Sequence, residues 1–201
     1  MAIKPILFNT KMVRAILDGR KDATRRIVKG FIPDDAVWGY TAFTPKGYIS
    51  CRGTFADGYG EKFFKLPCES GDILYVRETW MDYAGLTMYK ADCDIYRLDS
   101  LNFAGFVWHP SIHMPKGAAR IWLKVTDVRV ERLHDITPKG AESEGVGNLF
   151  YDDIGYGEKN YGTEVDPEYG IAKEQFAWLW ESTIKKSDLD RYGWDANPYV
   201  W

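Results

Sequence analysis

A lysine and a threonine with the potential for chemistry lie near the start of the chain, in the stretch GRKDATRRIV (residues 19–28). A threonine hydroxyl is a poor nucleophile until a neighbouring group accepts its proton. Lys21 can accept that proton from Thr24 only if burial or adjacent cations lower its pKa. The flanking cations are Arg20, Arg25 and Arg26. The stretch therefore predicts an anion-facing rim around one lysine and one threonine, and a solvated basic turn is the alternative.

Charge is distributed unevenly along the chain, whose net charge is −3. Residues 1–30 hold eight Lys/Arg against two Asp/Glu, giving +6. Residues 31–150 hold 13 against 16, giving −3, and residues 151–201 hold five against 11, giving −6. A basic start on an acidic body favours a local anion site over a broad surface that coats nucleic acid.

Five further residues are candidates for substrate binding. Arg77 and Glu78 follow an apolar run, so they line the floor of a cleft or form an ion pair at the end of a strand. Trp80 is a stacking platform for a base or a core residue. The loop SIHMP offers Ser111 and His113 for hydrogen bonds to a ligand, with a local turn as the alternative. Ser111 is not expected to be a nucleophile, because the motif GxSxG is absent.

No cofactor or metal site is predicted. His109 and His113 lie four residues apart, but Pro110 between them disrupts a helical metal pair and no third ligand has suitable spacing. The three cysteines, Cys51, Cys68 and Cys93, share no metal-like spacing and are expected to be reduced thiols. The chain shows no apolar run near 18 residues and no signal peptide, so we expect a cytoplasmic protein without a membrane partner.

Helix signals bracket the candidate residues. Asn9 or Thr10 can cap a short helix that ends before Gly19. The pair Thr137-Pro138 starts a second short helix that would carry Glu144 and stop at Gly145. KEQFAWLWESTI predicts a longer amphipathic helix with one apolar stripe. Its members are Phe176, Leu179, Trp180 and Thr183.

Strand signals outnumber helix signals. TRRIV (residues 24–28) is predicted to be extended, and residues 31–70 are predicted to form short hairpin strands. A strand is expected at Ile73 to Arg77, with TMYKADC (residues 87–93) as a possible neighbour. Residues 118–133 predict a strand and its extension, residues 146–170 a long acidic loop, and NPYVW a closing strand. Without regular βαβ alternation, this order predicts an α+β domain around a small, mostly antiparallel sheet or barrel.

The first stretch has the spacing GxKxxTxR, which resembles the hallmark of the ASCH domain family, a branch of the PUA-like barrels. Six further stretches follow in the order found in phage and prophage ASCH-like proteins. They are GDILYVRETW, SIHMP, ARIWLKVTDVRVERL, ITPKGAESEG, FAWLW and NPYVW. The resemblance implies one PUA-like domain over residues 1–201, with insertions at about 31–68 and 146–170 and a cleft lined by the first motif.

The resemblance also implies a function. The family is linked to recognition of RNA or modified nucleosides, so the expected partner is a nucleoside or a nucleic acid, with RNA favoured over DNA. Some small bacterial members are similar to amidohydrolases that remove the acetyl group from N4-acetylcytidine. Their lysine, threonine and glutamate match Lys21, Thr24 and Glu144, which are the expected catalytic residues. Arg26 would bind the substrate or an oxyanion.

Two other functions stay open from the sequence. One is a reader, meaning a protein that recognises a modified base without catalysis. It would bind phosphate with the same basic rim and stack a flipped base on aromatic side chains. A phage accessory protein would instead bind a host protein through the acidic residues 151–201. Each hypothesis predicts a different observation. The enzyme forms a product, the reader binds nucleic acid in a salt-sensitive way without forming a product, and the accessory protein captures a protein partner.

Overall fold

The computed structural model describes residues 1–83, 85–93, 106–146 and 170–201. These residues form two compact units, each built from separate stretches of the chain. Unit 1 comprises Met1–Gly19 and Cys68–Val128, and unit 2 comprises Arg20–Pro67 and Arg129–Trp201. The expectation of one domain over residues 1–201 stays a prediction.

Unit 1 is built on a three-stranded mixed sheet. β1 (Ile3–Leu7) pairs in parallel with β5 (Ile73–Arg77), and β5 pairs antiparallel with β8 (Trp122–Lys124). Helix α1 (Thr10–Leu17) follows β1, and the Asn9 side chain caps it by accepting a hydrogen bond from the Met12 amide at 2.9 Å. Apolar side chains of the helix and the sheet share one core. Its buried members are Phe8, Val13, Val76, Ala91 and Ile121.

A hairpin and several single turns complete unit 1. β6 (Trp80–Tyr83) and β7 (Leu86–Tyr89) pair antiparallel, and Trp80 also bridges to His109. Turns of 3₁₀ helix lie at Lys90–Asp92, Ser111–His113 and Lys116–Ala118. The expectation that residues 87–93 pair with β5 is wrong, because β1 and β8 occupy both edges of β5.

Unit 2 contains two sheets. β2 (Val37–Gly39), β3 (Tyr48–Phe55) and β4 (Gly58–Lys65) form an antiparallel meander. β9 (Glu131–Arg132) pairs antiparallel with β10 (Tyr199–Val200), as the closing-strand prediction required. Aromatic rings connect the two sheets, because Trp38 of β2 packs edge-on against Tyr199 with ring centroids 5.5 Å apart.

The core of unit 2 lies between short helices and β10. These helices are α2 (Pro138–Ser143), α3 (Gly170–Thr183) and α4 (Leu189–Tyr192). Single 3₁₀ turns lie at Leu133–Asp135 and Lys186–Asp188. Three members of the predicted stripe of α3 face inward, since Phe176 and Trp180 are buried with Leu133, Ile136 and Val200 and Leu179 packs against them. Thr183, the fourth member, is exposed.

The α+β class predicted from the sequence is confirmed. The described strands form four sheets of two or three strands each, and these do not close into a barrel. The acidic loop predicted for residues 146–170 lies almost wholly outside the described residues. None of the described helices has the length and apolar character needed to cross a membrane.

Candidate functional site

The basic stretch is held in place by its backbone. Gly19 has φ +71°, a left-handed conformation that favours glycine, so the chain turns sharply after α1. The Asp22 and Ala23 amides both donate to the Ser143 carbonyl at 3.0 Å. Further along, Val28 donates to the Tyr199 carbonyl at 2.9 Å. The predicted extended segment therefore meets β10 through an isolated antiparallel bridge between Ile27 and Val200 and forms no strand.

Helix α2 presents Glu144 at its end. The Thr137 hydroxyl accepts a hydrogen bond from the Gly140 amide at 3.0 Å, and Pro138 occupies the first turn. Glu144 is the C-terminal cap residue, and Gly145 follows with φ +89°. The sequence signals for this helix are confirmed at both ends.

Lys21 and Glu144 form a buried ion pair, although 123 positions separate them in the chain. Lys21 Nζ lies 2.7 Å from Glu144 Oε2, and the two side chains are 2% and 4% exposed. The Lys21 ammonium also donates to the Ala23 carbonyl at 2.7 Å and to the Glu144 carbonyl at 3.0 Å. Both residues pair again through an antiparallel backbone bridge.

The basic side chains also approach carbonyls at the C-terminal end of α2. Arg20 Nη1 donates to the Gly145 carbonyl at 3.1 Å. Lys21 Nζ donates to the Glu144 carbonyl at 3.0 Å, and Arg25 Nη1 lies 3.5 Å from the Gly140 carbonyl. The last carbonyls of a helix lack intrahelical partners and carry partial negative charge. The cluster thus stabilises this helix end, a role that a solvated basic surface would not have.

Arg25 extends the ion pair into a network. Its Nη1 lies 3.3 Å from Glu144 Oε1, the oxygen that does not face Lys21. Its Nε and Nη2 lie 2.8 Å and 2.7 Å from Glu131 Oε1. Glu131 Oε2 in turn lies 3.1 Å from Arg129 Nε. Five alternating charges therefore run from Lys21 to Arg129.

The environment of Lys21 shifts the pKa of its ammonium through opposing effects. Burial lowers the pKa of the Lys21 ammonium below its usual value, the Glu144 carboxylate raises it, and Arg26 and Arg25 lower it further. The net direction is downward. A lysine with a lowered pKa can act as a proton acceptor near neutral pH, which an exposed lysine cannot do.

Thr24 and Arg26 complete the first motif within unit 2. Thr24 is half-buried, and its hydroxyl makes no hydrogen bond to any described residue. Arg26 is exposed, and its carbonyl accepts a hydrogen bond from the Trp201 amide at 2.8 Å. The structure thus brings Lys21 and Glu144 together, with Thr24 one residue beyond the Ala23 carbonyl that Lys21 contacts.

Arg77, Glu78 and Trp80 belong to unit 1 and have local partners there. Glu78 is buried and pairs with Arg120 rather than with Arg77, through contacts of 2.9 Å and 3.1 Å. Arg77 Nε donates to the Met114 carbonyl at 2.7 Å. The Trp80 ring lies 5.1 Å from the His109 ring, and its buried indole nitrogen has no hydrogen-bond partner among the described residues.

Ser111 and His113 form a single 3₁₀ turn in unit 1. The Ser111 carbonyl accepts from the Met114 amide at 3.1 Å, and the His113 amide donates to the Pro110 carbonyl at 3.0 Å. These bonds fit the alternative of a local turn, although the exposed His113 ring stays available to a ligand. No group of three His, Cys, Asp or Glu side chains within the described ranges is arranged to hold a metal ion.

Sequence reasoning missed two members of the charge network. It assigned Arg25 to the rim and gave Glu131 no role, yet their side chains are only 8% and 18% exposed. A possible signal was the position of Glu131 among the alternating valines of VRVERL, where one acid falls on a strand next to a core leucine. That signal does not identify the partner, because the pairing joins residues 106 positions apart.

Comparisons of the chain with protein-family models, with curated protein sequences and with solved structures find no match.

Proposed function

We propose that the chain is an ASCH-like amidohydrolase with a PUA-like fold that removes an acyl group from an N4-acylated cytidine. The observation that carries the proposal is the buried contact of 2.7 Å between Lys21 Nζ and Glu144 Oε2. The resemblance to the ASCH family independently implies that these two positions act together. A basic group of lowered pKa beside a carboxylate is an arrangement that acid–base catalysis requires.

The proposed reaction begins with proton transfer from Lys21 to Glu144, which leaves a neutral amine. That amine removes the proton from the Thr24 hydroxyl as its oxygen attacks the acyl carbon. The bond from the acyl carbon to N4 then breaks, and the protonated Glu144 gives its proton to the leaving amine. Water finally hydrolyses the threonine ester, which releases the carboxylic acid and restores the hydroxyl.

Arg26 supplies positive charge that can stabilise the negative charge formed when Thr24 attacks the acyl carbon. The attacked carbonyl oxygen becomes an oxyanion, and the Arg26 guanidinium, two residues from Thr24 in the chain, can donate to it. The same guanidinium can instead hold a substrate phosphate.

The test is hydrolysis of N4-acetylcytidine by purified protein, with the release of cytidine followed by chromatography. Lys21→Met and Glu144→Gln should each reduce kcat on the order of 10³-fold, since general acid–base catalysis contributes that much. Lys139→Met is a matched control, because Lys139 is an exposed lysine of α2 in the same unit. Turnover that is equal in Lys21→Met and Lys139→Met would contradict the assigned roles.

A non-catalytic reader of modified bases is the second candidate. It is favoured by the three oxygen acceptors around Lys21 Nζ, which match the three hydrogens of a permanently charged ammonium. A reader would bind acylated cytidine in RNA without forming product, and binding would weaken steeply with added salt. Equilibrium binding and product analysis on the same sample therefore separate the two candidates.

A further inference from the structure

Arg25 is the one described side chain that contacts both Glu144 and Glu131. Its Nη1 lies 3.3 Å from Glu144 Oε1, while Nε and Nη2 approach Glu131 Oε1 at 2.8 Å and 2.7 Å. The Arg25 side chain is 8% exposed, and its guanidinium carbon lies 5.9 Å from the centre of the Phe176 ring of α3. Arg25 is not part of the GxKxxTxR spacing.

We propose that Arg25, anchored by Glu131, is a positioning residue that fixes the Glu144 carboxylate against Lys21. This inference rests on the proposed function for its kinetic consequence, whereas its electrostatic consequence can be measured on the protein alone. Neither Arg25 nor Glu131 is expected to contact the substrate.

The positioning argument follows from the two carboxylate oxygens of Glu144. Oε2 accepts from Lys21 and Oε1 faces Arg25, so both ends of the carboxylate are held and its plane cannot rotate freely. The planar guanidinium holds its two acids through donors in a fixed fork, whereas the donors of an ammonium rotate at the end of a flexible stem. Without Arg25, one oxygen of Glu144 would lose its partner in a buried position.

The electrostatic argument follows from the charges that face Lys21. These are the Glu144 carboxylate and the guanidinium groups of Arg26 and Arg25. Glu131 and Arg129 lie further along the network. Each nearby cation disfavours a second positive charge on Lys21, so Arg25 adds to the effect of burial. Glu131 keeps the Arg25 guanidinium in this position.

The experiment compares Arg25→Met and Arg25→Lys with the wild-type chain. The control is Arg129→Gln, which removes a charge from the same network at a side chain that is 70% exposed. The first measurement is the titration of the Lys21 side chain by ¹³C NMR, assigned by the signal lost in Lys21→Met. The second is the pH dependence of kcat and of KM for N4-acetylcytidine.

Arg25→Met should raise the pKa of Lys21, because a neighbouring cation has been removed. The acidic limb of the kcat profile should move to higher pH by the same amount. Its kcat should fall on the order of 10²-fold through misplacement of Glu144, with KM changed by less than about threefold. Arg25→Lys should restore the position of the limb but only part of kcat.

Two results would overturn the proposal. The first is a Lys21 titration in Arg25→Met that coincides with that of Arg129→Gln. The second is a loss of kcat in Arg25→Met that is proportional to the loss of folded protein, while the acidic limb of the kcat profile stays at its wild-type pH. If the wild-type protein hydrolyses no acylated cytidine, the proposed function fails, and the NMR titration alone decides whether Arg25 controls Lys21.

Discussion

At the scale of single residues, burying the ion pair of Lys21 and Glu144 costs free energy, and removing one of the two partners costs more. Removing one partner of a buried ion pair leaves a charge without compensation, which costs about 3–5 kcal/mol. Replacing both partners with apolar residues removes both charges and is often neutral. The two side chains here are 2% and 4% exposed, so both rules apply.

We therefore predict that Lys21→Met lowers the free energy of unfolding by about 3 kcal/mol. The double substitution Lys21→Met with Glu144→Leu should recover at least half of that loss, although Arg25 then keeps only Glu131 as an acidic partner. Urea unfolding of the single and double variants measures the coupling. Additive losses in the double variant would show that the two charges do not depend on one another.

The sequence supported the pairing of Lys21 with Glu144 only through the resemblance. No local pattern relates residues 123 positions apart, because hydrophobic periodicity reports which face of an element is buried and not which element covers it. The inward direction of Arg25 was not predictable for the same reason. Its neighbours gave it the appearance of a solvated basic face, whereas Glu131 and Glu144 compensate its charge in the interior.

At the scale of elements, helix α2 is too short to be stable without its end contacts. It has six residues, and nucleation of an isolated helix of that length is unfavourable. The Thr137 hydroxyl caps its first turn, while Ala141 packs into the core of unit 2. Because Glu144 follows the last residue of α2, the cap also controls the position of the carboxylate.

Thr137→Ala should therefore lower the free energy of unfolding by about 1 kcal/mol, the usual loss when a cap hydroxyl is removed. It should also reduce kcat for N4-acetylcytidine, but by less than Lys21→Met does. Thr137→Ser is the matched control, since it keeps the hydroxyl that accepts from the Gly140 amide. Equal damage in the serine and alanine variants, measured by urea unfolding, would exclude the cap as the cause.

The elements that carry strong end signals were predictable, and those defined by pairing were not. Helices α1 and α2 begin and end where Asn9, Thr137-Pro138 and Gly145 indicate. Strand β1 was missed, because IKPIL contains a proline and its role depends on a parallel partner 70 residues later. Residues 24–28 form a single bridge rather than a full strand, since only a short segment of β10 lies beside them.

At the scale of the whole molecule, Asp72 joins the first residues of unit 1 to the start of β5. Its carboxylate accepts from the Ala2 amide at 2.6 Å and from the Glu69 amide at 3.2 Å, and it lies 3.1 Å from Lys4 Nζ. The hydrogen bond from Ala2 and the contact with Lys4 lower the pKa of Asp72 from 3.8 to about 2.

A lowered folded-state pKa gives stability that is present above about pH 4 and is lost as the pH falls through about 2. Asp72→Asn should therefore lower the urea midpoint at pH 7, and its difference from wild type should shrink between pH 4 and pH 2. Asp127→Asn is the control, as an exposed acid of the same unit. A difference that is constant across this range would contradict the linkage.

The contacts around Arg26 and Val28 also impose an order of events during synthesis of the chain. Their backbone partners are Trp201 and Tyr199, which the ribosome adds more than 170 residues later. The Lys21 side chain must likewise wait for Glu144 to be translated. In the nascent polypeptide, the backbone contacts of Val28 and Arg26 therefore form only after Tyr199 and Trp201 have been translated.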